Sequence, residues 1–347
     1  MNKKIILGAT LVAALTLGIM PSYGDQASNS GNNSGNSSGK NDDVRSREIA
    51  LANPSNWSQA TREIQTDEDQ QALDAQQHMD PSIRIAGAKV FGKAKSAATT
   101  KAPAPIYNLI NHNGPTLGQI KLYAIWWGPT ANFPSGYQAS IRSALTGLGC
   151  ASGACTGMSK MMEQYLAANK KSASIQYSGE FTDISAPVAS APSAAQIVTE
   201  VNKVVTNAAI DPTALYLVFS SNFPKNAGYC GYHSAGAVGN TKWFTVSYMP
   251  NLTGVAGCGA NALPGYASSG SGSATLGVDS VVNVLTHELY ETMTDPMLTG
   301  AYAWYDALGY EIGDKCAWTT SAKMKLGSST FTVQQEWSNA VQACASA

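Results

Sequence analysis

Histidine is scarce in this chain, with only His78, His112, His233 and His287 among 347 residues. Few partners therefore exist for a serine nucleophile. No GxSxG context surrounds the serine-rich stretches such as "YASSGSGSATLG", which argues against a Ser–His–Asp hydrolase. No CxxC pair occurs, which argues against a cysteine-rich zinc site. An excess of either charge is also missing: 22 basic residues face 23 acidic ones, leaving no electrostatic footprint for nucleic acid. Beyond the first two dozen residues, no segment approaches the roughly 20 apolar residues of a membrane span.

Those first residues have the three parts of a secretory leader. Lys3 and Lys4 precede an apolar run from Ile5 to Met20, and Pro21-Ser22-Tyr23-Gly24 supplies small residues for cleavage. Residues 1–24 are read as a signal peptide and the remainder as secreted, extracellular or periplasmic, and monomeric. Six cysteines, Cys150, Cys155, Cys230, Cys258, Cys316 and Cys344, form an even set that favours disulfides in such a compartment. Of 15 connectivities, pairing of sequence neighbours (150 with 155, 230 with 258, 316 with 344) is expected.

Residues 25–105 read as a low-complexity linker or pro-segment. "DQASNSGNNSGNSSGKNDD" has too little apolar surface to fold. A helix is expected around Trp57–His78, followed by an Ala/Lys/Thr/Pro-rich stretch. From Ile106 the texture changes. "IKLYAIWWG" (Ile120–Gly128), "ALYLVFSS" and "KWFTVSYM" read as buried strands, with another at Ala173–Ile184. Tyr137–Leu148, Met158–Asn169 and Ser193–Ala208 read as helices, and Thr330–Cys344 as a last strand or helix. The expectation is a single mixed α/β domain over residues 106–347, with a central sheet and a metal-site helix, preceded by a flexible N-terminal region.

That helix is "VVNVLTHELYETMTDP", Val281–Pro296. Asp279 or Ser280 is placed to cap its start, and Pro296 forces its end near Asp295. Val281, Leu285, Leu289 and Met293 form an apolar stripe, while Asn283, His287, Glu291 and Asp295 form a second row about 200° away. His287, Glu288 and Glu291 are thus neighbours. The acids crowd the helix C-terminus, where the dipole disfavours anions, and no Lys or Arg lies between Lys242 and Lys315. A bound cation would reverse the sign of that arrangement. Downstream, "AWYDALGYEIGDKC" adds Asp306, Glu311 and Asp314 amid aromatic residues.

Together "HELYETMTDP…EIGD" resembles the thermolysin-type (gluzincin) metallopeptidase motif over about 30 residues. The resemblance implies a zincin-like fold and a metal held by His287, by Glu291 in place of the family's second histidine, and by Glu311. It implies support from Asp295 and Asp314, with Glu288 as general base; Asp306, from the same acidic stretch, is expected beside them as a supporting carboxylate. Two carboxylates with one imidazole nearly neutralise Zn²⁺, weakening it as a Lewis acid and favouring Ca²⁺ or Mn²⁺ as alternatives.

A second likeness covers "NHNGPTLG", "IKLYAIWWG" and "YCGYHS" (Tyr229–Ser234). These patches are similar to the EXORDIUM or phosphate-induced extracellular family. Here the disulfide at Cys230 is expected to pin a turn and hold His233 as an additional ligand or transition-state donor. His112 is expected in a turn. Two functions follow as expectations: a secreted zinc metallopeptidase-like hydrolase acting on peptide or protein, or a non-catalytic extracellular protein with a structural calcium or zinc ion.

Overall fold

The computed structural model describes residues 83–93, 107–166, 172–206, 209–239, 242–270, 275–297 and 301–347, with side chains from Phe91 onward. The expected leader, the linker at 25–43 and the helix at Trp57–His78 lie outside these residues.

The fold is α/β, built on a six-stranded mixed sheet. Its strands are β1 (Ile83–Gly92), β3 (Gln119–Trp127), β4 (Ser174–Asp183), β5 (Ala214–Ser220), β6 (Tyr229–Val238) and β7 (Phe244–Met249), in the order β1-β6-β7-β5-β3-β4. Strands β4, β3, β5 and β7 run parallel, while β6 pairs antiparallel with both β7 and β1. Strand β6 alone is therefore reversed. Strand β2 (Ile110–Asn111) pairs outside this sheet with β8 (Trp304–Tyr305).

The apolar runs explain the central strands. Every residue of β5 and β7 is buried, as expected for parallel strands covered on both faces. Along β3 the side chains alternate. Leu122, Ala124 and Trp126 enter one core with helices α1 (Tyr137–Leu148) and α5 (Thr275–Thr294), while Ile125 and Trp127 enter another. That second core is closed by α4 (Ala194–Val204). Ser193 starts α4 by accepting the Gln196 N–H, and the Gln196 side chain accepts the Ser193 N–H in return.

Several expectations are met closely. Helix α1 spans Tyr137–Leu148, and the strands in "ALYLVFSS" and "KWFTVSYM" form where expected. The disulfides join Cys150 to Cys155, Cys230 to Cys258 and Cys316 to Cys344, a set that fits an extracellular chain. Among the described residues no helix is long and apolar enough to cross a membrane.

Other expectations are corrected. The single helix expected at Met158–Asn169 is two short ones over its described part, α2 (Gly157–Met161) and α3 (Glu163–Leu166), with 167–169 outside the described residues. The expected last element is three short strands, β10 (Ser329–Val333, paired with β9, Ala322–Leu326), β11 (Glu336–Ser338) and β12 (Ala343–Ala345). "YCGYHS" is not a turn but the start of β6, buried from Tyr229 through Ala237. The sheet also reaches back beyond Ile106, because β1 comes from the stretch read as linker or pro-segment.

Helix α5 starts at Thr275, so Asp279 and Ser280 lie inside it rather than capping it. Asp279 accepts bonds from the Tyr266 hydroxyl and from Ser269, and the Ser280 hydroxyl accepts the Ala260 N–H. Burial from Gly277 to Thr294 covers the polar row as well as the apolar stripe. An amphipathic helix would leave the polar row in water; here it faces protein, which makes its partners decisive.

Since the Ser193 cap lies far in sequence from the α5 acids, Ser193→Ala should lower unfolding stability by about 1 kcal/mol in chemical denaturation. Divalent-metal content of the purified protein should not change.

Candidate metal centre

The site forms where β6 faces α5. Side chains alternate along a strand, so Tyr232 enters the α4 core, its hydroxyl donating to the Pro192 carbonyl. His233 consequently points the other way, toward α5, and is fully buried there. Gly231 shares that face. A Cβ on it would come within 2.6 Å of Val284 Cγ1, so glycine permits the helix to lie close to the strand.

Helix periodicity then delivers three acceptors. His233 Nδ1 is 3.1 Å from Glu288 Oε2 and 3.4 Å from Glu291 Oε2. Glu291 Oε1 is 3.1 Å from His287 Nε2, one turn earlier on the same face. Glu291 therefore bridges the two imidazoles. The loop after β8 completes the cluster. Asp295 Oδ1 accepts the Ala303 N–H just ahead of β8, and the loop beyond that strand returns Glu311 and Asp314. Asp314 donates its backbone N–H to Glu291 Oε1 at 3.2 Å and accepts the Glu311 N–H. Its Oδ1 is 3.9 Å from His287 Nε2, and Glu311 Oε1 is 3.8 Å from His233 Nε2.

The structure thus gathers His233, His287, Glu288, Glu291, Glu311 and Asp314. Two triads have ligand atoms mutually within 4.8 Å: His233, Glu288 and Glu291, and His287, Glu291 and Asp314. Two expected placements change. Asp314, expected only to support the ligands, joins His287 and Glu291. Glu311, expected with those two, stands on the His233 side and belongs to neither triad. Asp306 is set apart from both triads. It pairs with buried Lys315 at 2.6 Å and accepts the N–H groups of Leu308 and Tyr310, so it shapes the loop. His112 stacks on Tyr305 at 3.6 Å beside the β2–β8 pair.

Three further residues escaped notice in the sequence. Gly313 passes so near the helix that a Cβ would lie 2.4 Å from His287 Nδ1. Gln334 turns its amide nitrogen to His287 Nδ1 at 2.9 Å and donates to the Gly313 carbonyl at 3.0 Å. With this amide orientation Nδ1 accepts, whereas a ring protonated on both nitrogens needs the amide oxygen turned toward Nδ1–H. A ring ligating through Nε2 would likewise have the amide oxygen facing Nδ1–H. Buried Glu336 lies 3.5 Å from the same amide.

Charge balance dominates this interior. Burial alone would lower the His287 pKa, but Glu291, Glu288 and Asp314 push it up to about 10. Burial likewise opposes a proton on His233, yet Glu311, Glu288 and Glu291 hold it well above the ordinary range. Burial lifts Glu288 to about 7 despite the two histidines, and lifts Glu336 well above its usual value. Burial would raise Glu291 too, but both imidazoles override it and keep Glu291 ionised. Protons thus supply the positive charge that these carboxylates require.

A divalent cation fits the same need. His233 Nε2, His287 Nε2 and Glu288 Oε1 are buried and make no well-formed hydrogen bond, and nitrogen with carboxylate oxygen is a donor set that zinc accepts.

Two predictions follow from this geometry. Gly313→Ala should cost about 1–3 kcal/mol by overpacking and reduce bound metal, measured by denaturant melts and elemental analysis. The second concerns the chelated protein. Its folded His287 keeps a proton to about pH 10, against 6.5 for the free group, so its stabilisation is full below 6.5 and lost toward 10. Glu288, raised from 4.5 to about 7, acts in the same direction at lower pH. The melting temperature of chelated protein should therefore fall as pH rises from 6.5 to 10. No family model matches the chain, and no curated protein or solved structure matches it significantly.

Proposed function

We propose that this chain is a secreted metal-dependent hydrolase of peptide or protein substrates, a zinc metallopeptidase-like enzyme. The supporting observation is the convergence of two buried imidazoles on Glu291, with Glu288 and Asp314 completing the two triads. His287, Glu291 and Asp314 would hold the ion, with His233 and Glu311 facing it from the strand side. Zn²⁺ suits the nitrogen donors, and Mn²⁺ or Ca²⁺ the oxygens. Such an ion, when bound, supplies Lewis-acid polarisation of a carbonyl and a more acidic water.

The chain's own groups carry the proton. Glu288 has one oxygen against His233 and the other without a hydrogen bond. Without an ion, burial lifts this carboxyl to about 7, the direction that suits a general base near neutrality. Glu288 accepts the proton of the attacking water and passes it to the leaving amine. His233, held beside Glu288 by strand β6, then donates to the oxyanion as charge develops.

One observation favours a second reading, a structural metal in a non-catalytic extracellular protein. Every side chain of the two triads except Asp314 is at most 1% exposed. A single set of measurements separates the two. With an enzyme, Glu288→Gln lowers hydrolysis of casein or gelatin by about 10²–10⁴-fold, leaving metal content and melting temperature near wild type. With a structural ion, no substrate is cut by any variant, and chelation alone lowers the melting temperature.

A further inference from the structure

Strand β1 closes this site in a specific way. Among the described residues it is the outermost strand on its side of the sheet and pairs only with β6, the strand that carries His233. In that ladder Phe91 lies opposite Gly231, and Lys89 opposite His233. Paired residues share a face, so Phe91 projects toward α5, over the position where Gly231 has no side chain. Its ring stacks on the His287 imidazole with centroids 4.0 Å apart, and it is 1% exposed.

The loop beyond Asp314 clasps the same group. Trp318 stacks on Phe91 at 4.9 Å with an 8° interplanar angle, and its indole N–H donates to the Gly92 carbonyl at 2.9 Å. Trp318 does this from φ of 60°, a left-handed conformation that costs a bulky residue free energy and marks a position held for a purpose. Phe91 is thus an aromatic anchor in a cleft lined by His287, Gly231 and Trp318, delivered by an extended backbone paired antiparallel to β6.

We propose that β1 is a built-in occupant of a strand-addition cleft. The site takes an extended polypeptide along β6 with an aromatic side chain over His287, and Ile83–Gly92 fills that place until displaced. This rests on the hydrolase reading for its substrate class, and it accounts for the burial of the centre. A departing β1 uncovers together the N–H and C=O row of β6, the aromatic cleft and the imidazole beneath it. Strand addition gives backbone affinity, and the anchor pocket gives side-chain preference.

The test uses the full-length chain in two forms besides wild type. One carries a site-specific protease sequence between Lys93 and Ile106 and is cut there; the other is Phe91→Ala. The probe is a fluorescent peptide of the sequence Ile83–Lys93, with a second peptide in which its phenylalanine is alanine. Fluorescence polarisation should show the wild type excluding the probe. The cut chain should exchange its own strand for it, and Phe91→Ala should bind it at least about tenfold more tightly than wild type does. The alanine peptide should bind about tenfold more weakly than the parent. Equal binding by all folded forms, or binding indifferent to the phenylalanine, overturns the proposal. Should Phe91→Ala fail to melt cooperatively, the cut chain alone decides. Because polarisation needs no turnover, probe exchange with no hydrolysis would sink the enzyme reading and leave this one standing.

Discussion

Glu291 is the constraint on which the interior depends. Its two oxygens lie against different histidines, one on its own helix and one on the sheet, and its Oε1 also receives the Asp314 backbone N–H. Remove its charge and three elements, β6, α5 and the loop after β8, lose their common partner. An isolated buried carboxylate costs several kcal/mol or more unless compensated, so its neighbours must be positive or hydrogen-bonding. The lysine in this neighbourhood, Lys315, is committed to Asp306, with the Trp337 ring 4.3 Å from its Nζ. Compensation therefore falls to the imidazoles, carrying protons or sharing a metal ion.

That requirement explains why small residues stand where they do. Gly231 and Gly313 approach α5 from opposite partners, the strand and the loop, and at each a Cβ would collide with the helix side chains. Gln334 fills the remaining gap beside His287 and ties it to the Gly313 carbonyl. The rest of α5 fixes the helix in position: Tyr290 meets Ser159, and Asn283 accepts the Gln334 N–H. A helix buried on every side is an expensive way to place two turns of acids, and it makes chemical sense if their geometry matters.

Much of the fold was legible because its signals are local. Helix α1 and strands β3, β5 and β7 are carried by their own apolar patterns, and Pro296 ends α5 within two residues of where the ring forbids continuation. Nearest-neighbour cysteines found one another because in two of the three pairs the chain returns to the same place over a sequence separation of 28. Strand β6 was hidden by its composition. Gly231, His233, Ser234 and Gly236 look like a turn, and only the packing of α5 and α4 on its two faces makes such residues suitable for a buried strand. The site was half visible. The i, i+4 relation of His287 and Glu291 follows from helix geometry, whereas which histidine Glu311 and Asp314 each approach depends on the path of the loop. Gln334 and Glu336 carried no signal, since such residues ordinarily face water.

The bridge between Cys230 and Cys258 acquires a meaning from its location. Cys230 sits one residue before Gly231, and Cys258 lies in the segment leading from β7 toward α5. A covalent tie there anchors the front end of β6 independently of whichever chain lies along its outer edge. The rail keeps its alignment when its rider changes, so exchange of one strand for another proceeds without loosening the floor beneath it. An oxidising surrounding is then more than a source of bulk stability: it keeps the exposed edge in register for the next arrival.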